Sequence, residues 1–149
     1  MRAVVQRVSA ASVSVDGAEI GAIDKGLCVL VGVTHGDDGG HASKLADKVW
    51  TLRVFDDEHG VMNRSAADIG AEVLVVSQFT LYGDTGRGRR PSFLGAATGS
   101  VAEPLIDAMV ERLRALGATV ATGRFGAEMA LALVNDGPVT LIVDVPGPR

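Results

Sequence analysis

Aromatic side chains are few in this 149-residue chain: four Phe, one Tyr and one Trp. A core must therefore be filled by Val, Leu, Ile and Ala. Cysteine is scarcer still. Cys28 stands alone inside "LCVLVGV", so no disulfide can form within the chain, as expected in a reducing cytosol. No apolar run approaches the ~18 residues of a membrane span, and "MRAVVQRVSA" at the start has no continuous apolar stretch of the signal-peptide kind. Basic charge is not in excess either: 14 Lys and Arg face 18 Asp and Glu, for a net charge of −4. That balance argues against a protein that coats nucleic acid, while leaving room for a local grip on one phosphate-bearing end. A cytoplasmic protein is expected, with no membrane and no DNA as partner.

Several chemistries are missing as well. His35, His41 and His59 all lie in or beside expected turns, and none has a second His or Cys at metal-ligand spacing. Asp37-Asp38 and Asp56-Asp57 are acidic pairs of the kind that solvate turns. No metal and no cofactor is expected. Ser77 is not within G-x-S-x-G, so a nucleophile elbow is absent. "GDTGRGRR" has glycines but lacks the Lys-Ser/Thr ending of a phosphate loop.

What is there reads as one domain over 1–149, long enough to bury roughly 70% of the surface its unfolded chain exposes. Asp16-Gly17 between two alternating runs predicts a hairpin. Residues 27–33 predict a strand covered on both faces. Leu45, Ala46, Val49 and Leu52 predict a helix from about Ala42, with Asp37 or Asp38 as its cap. "RVFDDEHGVMN" reads as a turn between short strands. A strand over 72–82 and a Gly- and Arg-rich loop over 83–99 follow. A second helix is expected from Ser100, with Ser100 and Glu103 as a capping box, Pro104 in its first turn and Gly117 as its stop. "TVATG", "MALALVND" and "VTLIVDV" predict strands, with a turn at Asn135-Asp136-Gly137-Pro138. The fold class is thus α/β of the α+β type: strands, helix, strand, helix, strands, in mixed or antiparallel sheets with two main helices.

One stretch is odd. "VLVVSQFTLYGDTGRGRRPSF" begins as a buried strand, then presents Ser77, Gln78 and Thr80 before a loop with Arg87, Arg89 and Arg90. Three Arg within four residues of a net acidic protein suit one anionic end. Thr80 is a conceivable nucleophile, yet no base stands near it in sequence. Residue chemistry alone favours a binding site over an enzyme here.

Two motifs, "SQFTL" at 77–81 and "NDGPVT" at 135–140, change that balance. With "RAVVQRVSAASVSVDG", "KGLCVLVGV", "GRRPSF" and "FGAEMALALVNDGPVT" they make nearly the whole chain similar to the D-aminoacyl-tRNA deacylases of bacteria and eukaryotes. Gly83 and Arg87 depart mildly from the commoner Ala and Lys of that family.

The resemblance implies a homodimer with its active sites at the subunit interface. The substrate would be the 3′ acceptor end of tRNA, whose ester to a D-amino acid or glycine is hydrolysed. Gly137-Pro138 would adopt a cis peptide and project into the partner's site, with Arg7 holding that loop. Ser77, Gln78, Phe79 and Thr80 would form the catalytic floor, Phe125 and Met129 would complete the wall, and Arg87, Arg89 and Arg90 would meet tRNA phosphates. The substrate's own 2′-OH would assist water, with Thr80 as the rival nucleophile. Two alternatives stay open: a dimeric module that binds a small anion without chemistry, and a related tRNA editor with a trans Gly-Pro bond and a wider pocket.

Overall fold

A fourteen-residue strand, β1 (Arg2–Val15), organises the molecule. In this computed structural model, which describes residues 1–146, it turns at Asp16-Gly17 into β2 (Ala18–Ile23). The φ angles of 51° and 79° at that pair are left-handed, as a two-residue hairpin turn requires. The last three residues of the domain expected over 1–149 lie outside the described residues. β3 (Gly26–Gly32) then pairs antiparallel with the first half of β1. β6 (Glu72–Ser77) joins β3 in parallel and β7 (Val120–Thr122) joins β6 in parallel. The sheet curls until Gly21 of β2 faces the Thr122 carbonyl, where an added Cβ would lie 2.7 Å from that oxygen.

Each face of the sheet has its own core. On one, α1 (Gly39–Thr51) and α3 (Gly99–Ala115) cover β-strand residues such as Val5, Leu27, Val29, Val73 and Val75. The helices are joined by an ion pair of 2.8 Å between Arg112 and Asp47. On the other, Val8, Val13, Ile23, Cys28, Leu74 and Val76 meet inside the curl. Burial there pushes the Cys28 thiol up to about 11. At pH 8 only about one molecule in a thousand should carry the thiolate, the reactive form. Alkylation of Cys28 by iodoacetamide at pH 8 should therefore be negligible in the native protein and rapid in denaturant, read by intact mass.

Several sequence expectations need correction. The strand expected over 72–82 ends at Ser77, and Phe79–Tyr82 form a single 3-10 turn. The second long helix begins at Gly99 behind Thr98, with no side-chain cap, so Ser100 and Glu103 form no capping box. Pro104 then lies in the helix interior; its missing N–H removes the helical hydrogen bond to the carbonyl of Ser100, itself an exposed residue. α1 starts earlier than Ala42 and is capped by Asp38, which exchanges bonds of 3.1 and 2.9 Å with His41. Asp37 is not the cap: it is buried against the α-ammonium of Met1 at 2.8 Å. A one-turn α2 (Ala66–Ile69), capped by Ser65, lies between the short hairpin β4 (Phe55–Asp56) and β5 (Met62–Arg64) and strand β6.

The largest correction concerns the end of the chain. No turn separates "MALALVND" from "VTLIVDV". Apart from Met129 and Val145 at their outer ends, both lie in β8 (Ala130–Asp144), which runs antiparallel to β1 along nearly all its length. Val8 pairs with Asn135 and Gln6 with Thr140, so Asp136 to Val139 bulge out opposite Arg7. A bulge is where a strand tolerates proline, which has no N–H to give the ladder.

Candidate active site

The parallel pair β3–β6 ends at Val31 and Ser77, and a cleft of 510 Å³ opens beyond it. Its lining includes Ser77, Gln78, Phe79, Phe125 and Met129. Chain direction reverses there because Gln78 N–H donates to the Val31 carbonyl at 2.7 Å and the 3-10 turn starts at once. Gly32 makes the reversal fit: a Cβ on it would stand 3.1 Å from the Gln78 carbonyl, Leu81 and Tyr82. As at the start of any helical turn, the leading N–H groups, of Phe79 and Thr80, have no acceptor within the turn. They are donors without a partner in their own element; Phe79 lines the cleft and Thr80 adjoins it.

Thr80 itself lies beside this floor. Its hydroxyl oxygen accepts a hydrogen bond of 2.5 Å from the Gln78 amide. Among the described residues no histidine, lysine or carboxylate bonds to it, and no group of three or more His, Cys, Asp or Glu side chains could hold a metal. The arrangement can donate hydrogen bonds to an oxyanion; it offers no proton acceptor. Phe79 is largely exposed at the rim and meets Phe93 edge-on, with centroids 5.3 Å apart and planes at 72°.

Phe125 and Met129 reach the wall because glycines make room. A Cβ on Gly99 would lie 3.3 Å from the Phe125 ring, and one on Gly123 would strike the Met129 sulfur. Arg87, Arg89 and Arg90 are exposed at the tip of a loop closed at its base by paired bonds between Asp84 and Ser92, 2.7 and 2.9 Å. None of the three has an acidic partner among the described ion pairs.

Gly137 and Pro138 are not brought to this cleft within one chain. Their peptide bond is cis, contrary to the trans alternative, and Gly137 has φ 125°. Arg7, far from being a surface cation, is only 8% exposed and clamps this bulge. Its Nε donates to the Asp136 carbonyl at 3.0 Å and Nη1 to the Val54 carbonyl at 2.7 Å, while Nη2 fills the space a side chain at 137 would take. Sequence reasoning missed the Val54 contact and the role of Gly32; neither carries a local sequence signal.

Comparison with known proteins fits this geometry. The fold is that of a structure titled as a probable eukaryotic D-amino acid tRNA deacylase, with a TM-score of 0.84 at 16% identity over 97% of this chain and 98% of that one. A second solved structure, the c-Myc DNA Unwinding Element Binding Protein, is 40% identical with a TM-score of 0.93, covering 99% of this chain and all (100%) of that one. Sequence then narrows the class to a family. The chain belongs to the D-Tyr-tRNA(Tyr) deacylase family, whose sequence profile matches residues 4–144. Relatives named D-aminoacyl-tRNA deacylase include those of Nocardia farcinica, 61% identical over 97% of this chain and 99% of that protein, and of Streptomyces coelicolor, 60% identical over 97% and 100%.

Proposed function

We propose that this protein is an enzyme that hydrolyses the ester between a D-amino acid and the 3′-terminal adenosine of tRNA, and that it rejects the L form. The observation that carries this reading is a cleft lined by Ser77, Gln78 and Phe79, with the Phe79 and Thr80 N–H groups unpartnered in the turn at its edge and no His, Lys, Asp or Glu in its described lining. Donors fixed in place before reaction stabilise the developing oxyanion of ester hydrolysis. The missing base is the substrate's own 2′-OH, which activates water. Phe79 and Phe125 pack against the adenosine, and the Arg87–Arg90 tip meets acceptor-stem phosphates.

Chirality is read by exclusion. The Gly137 and Pro138 carbonyls of a second copy stand against the amino acid's Cα and leave space for hydrogen but not for an L side chain. Glycine, including glycine mischarged on the alanine tRNA, passes the same filter. A homodimer supports this arrangement, since each chain's own Gly137-Pro138 lies outside its cleft. β8 also has one edge free of any described strand and exposes Val134, Leu141 and Ile142.

Purified protein incubated with D-tyrosyl-tRNA and L-tyrosyl-tRNA tests the reading. D-tyrosine should be released at least ~100-fold faster than L-tyrosine. Equal loss of both enantiomers overturns the chiral assignment, and turnover of neither leaves a binding module.

A further inference from the structure

Arg2 lies outside the cleft and outside both diagnostic motifs, yet it touches the turn that floors the site. Its Nε donates to Asp144 Oδ1 at 2.8 Å and its Nη2 reaches Oδ2 at 3.5 Å. Nη1 donates to the Leu81 carbonyl at 3.1 Å. The guanidinium also lies over the Tyr82 ring, 5.1 Å from its centroid. Burial pushes the Tyr82 hydroxyl up to about 12, so the ring stays neutral beneath the cation.

The geometry is directional. Leu81 and Tyr82 form the second half of the 3-10 turn whose first half presents the Phe79 and Thr80 N–H groups. A cation at the carbonyl end of a helical turn opposes the turn's dipole favourably and fixes the end that does not face the cleft. Asp144 at the end of β8 holds the guanidinium fork in plane, so that one Arg joins the start of β1, the end of β8 and the turn. The rigid fork holds carboxylate and carbonyl in fixed directions at once, which the compact ammonium of a flexible lysine does less well. We propose that Arg2 is a positioning residue, which aims the Phe79 and Thr80 N–H groups by clamping Leu81, with Asp144 acting through it. This rests on the reading that those N–H groups hold the ester carbonyl.

Because the Arg2 and Asp144 side chains are 37% and 51% exposed, the pair adds little to stability. Its effect should appear in turnover. Steady-state deacylation of D-tyrosyl-tRNA by the full chain should show kcat lowered about tenfold in Arg2→Met, with KM nearly unchanged, because a small misplacement of donors acts on the transition state. Arg2→Lys should recover only part of that loss. Asp144→Ala should lower kcat less, and adding it to Arg2→Met should cost nothing more, since one acts through the other. Asp47→Ala, which breaks a comparable Arg–Asp pair between α1 and α3, should leave kcat unaltered. A kcat for Arg2→Met within about twofold of wild type, or a loss that Asp47→Ala matches, overturns the proposal. Should Arg2→Met fail to fold, Arg2→Lys and Asp144→Ala decide in its place: two folded variants with wild-type kcat overturn it. Absence of turnover in the wild-type protein would instead overturn the reading of the cleft.

Discussion

A D-aminoacyl-tRNA ending in 2′-deoxyadenosine should be inert to this protein, while Thr80→Val should keep most of its activity. The reason is the proton count at the cleft floor. Thr80 already accepts the Gln78 amide at 2.5 Å, and no described titratable side chain stands ready to take its proton. A hydroxyl so placed is expected to orient rather than attack. On the proposed mechanism, removing the substrate's 2′-OH should cost about 10²–10⁴-fold in the cleavage rate, the usual worth of a positioned acid or base. Single-turnover release of D-tyrosine from matched ribose and deoxyribose substrates measures it. The opposite pair of results, an inactive Thr80→Val and a cleaved deoxy substrate, would establish a protein nucleophile.

The second large effect is expected from Gly137→Ala. The backbone there has φ 125°, a region that L side chains rarely enter, and an added Cβ would collide with Nη2 of Arg7. Either the main chain moves or the buried guanidinium gives up its carbonyl partners, Val54 just ahead of β4 and Asp136 in β8. Both routes are unfavourable. A loss of about 2–4 kcal/mol in unfolding free energy is expected from the backbone strain and the disturbed buried cation together. Discrimination between D- and L-tyrosyl-tRNA should fall with it. The collision has a diagnostic partner: in an Arg7→Ala background the same substitution should cost less, because the space is already clear. Denaturant titration of the four proteins tests this, and additive losses would show that Arg7 and Gly137 do not compete for one volume.

Much of the fold was legible because local chemistry and tertiary pairing agree. Asp16-Gly17 demands left-handed backbone and gets a hairpin. Gly117 closes α3 with the N–H groups of Gly117 and Ala118 on the carbonyls of Arg114 and Leu113, 3.0 Å each. Elsewhere long-range contacts override local signals. "NDGP" carries every mark of a turn, yet β1 pairs on both sides of it and makes it a bulge within one strand. Phe79 and Leu81 alternate as strand residues do, but the close packing of the turn on Gly32 closes it into a 3-10 geometry instead. Thr98, not Ser100, takes the N-cap position of α3, where the chain is already fixed by the Ala97 N–H on the Val33 carbonyl at 3.0 Å. Ser77, Gln78 and Phe79 of "SQFTL" and Phe125 and Met129 of "FGAEM", far apart in sequence, line one cleft. The Arg2 clamp was not legible in the sequence, since it joins positions 142 residues apart and belongs to no pattern.

The rung between Asp84 and Ser92 separates two properties that are usually entangled. Lengthening, neutralising or replacing the seven positions strung beyond it should leave the rung paired and Gln78 and Thr80 in place. On the proposed function, hold on RNA and the bond-breaking step should therefore be separable, by engineering or by drift.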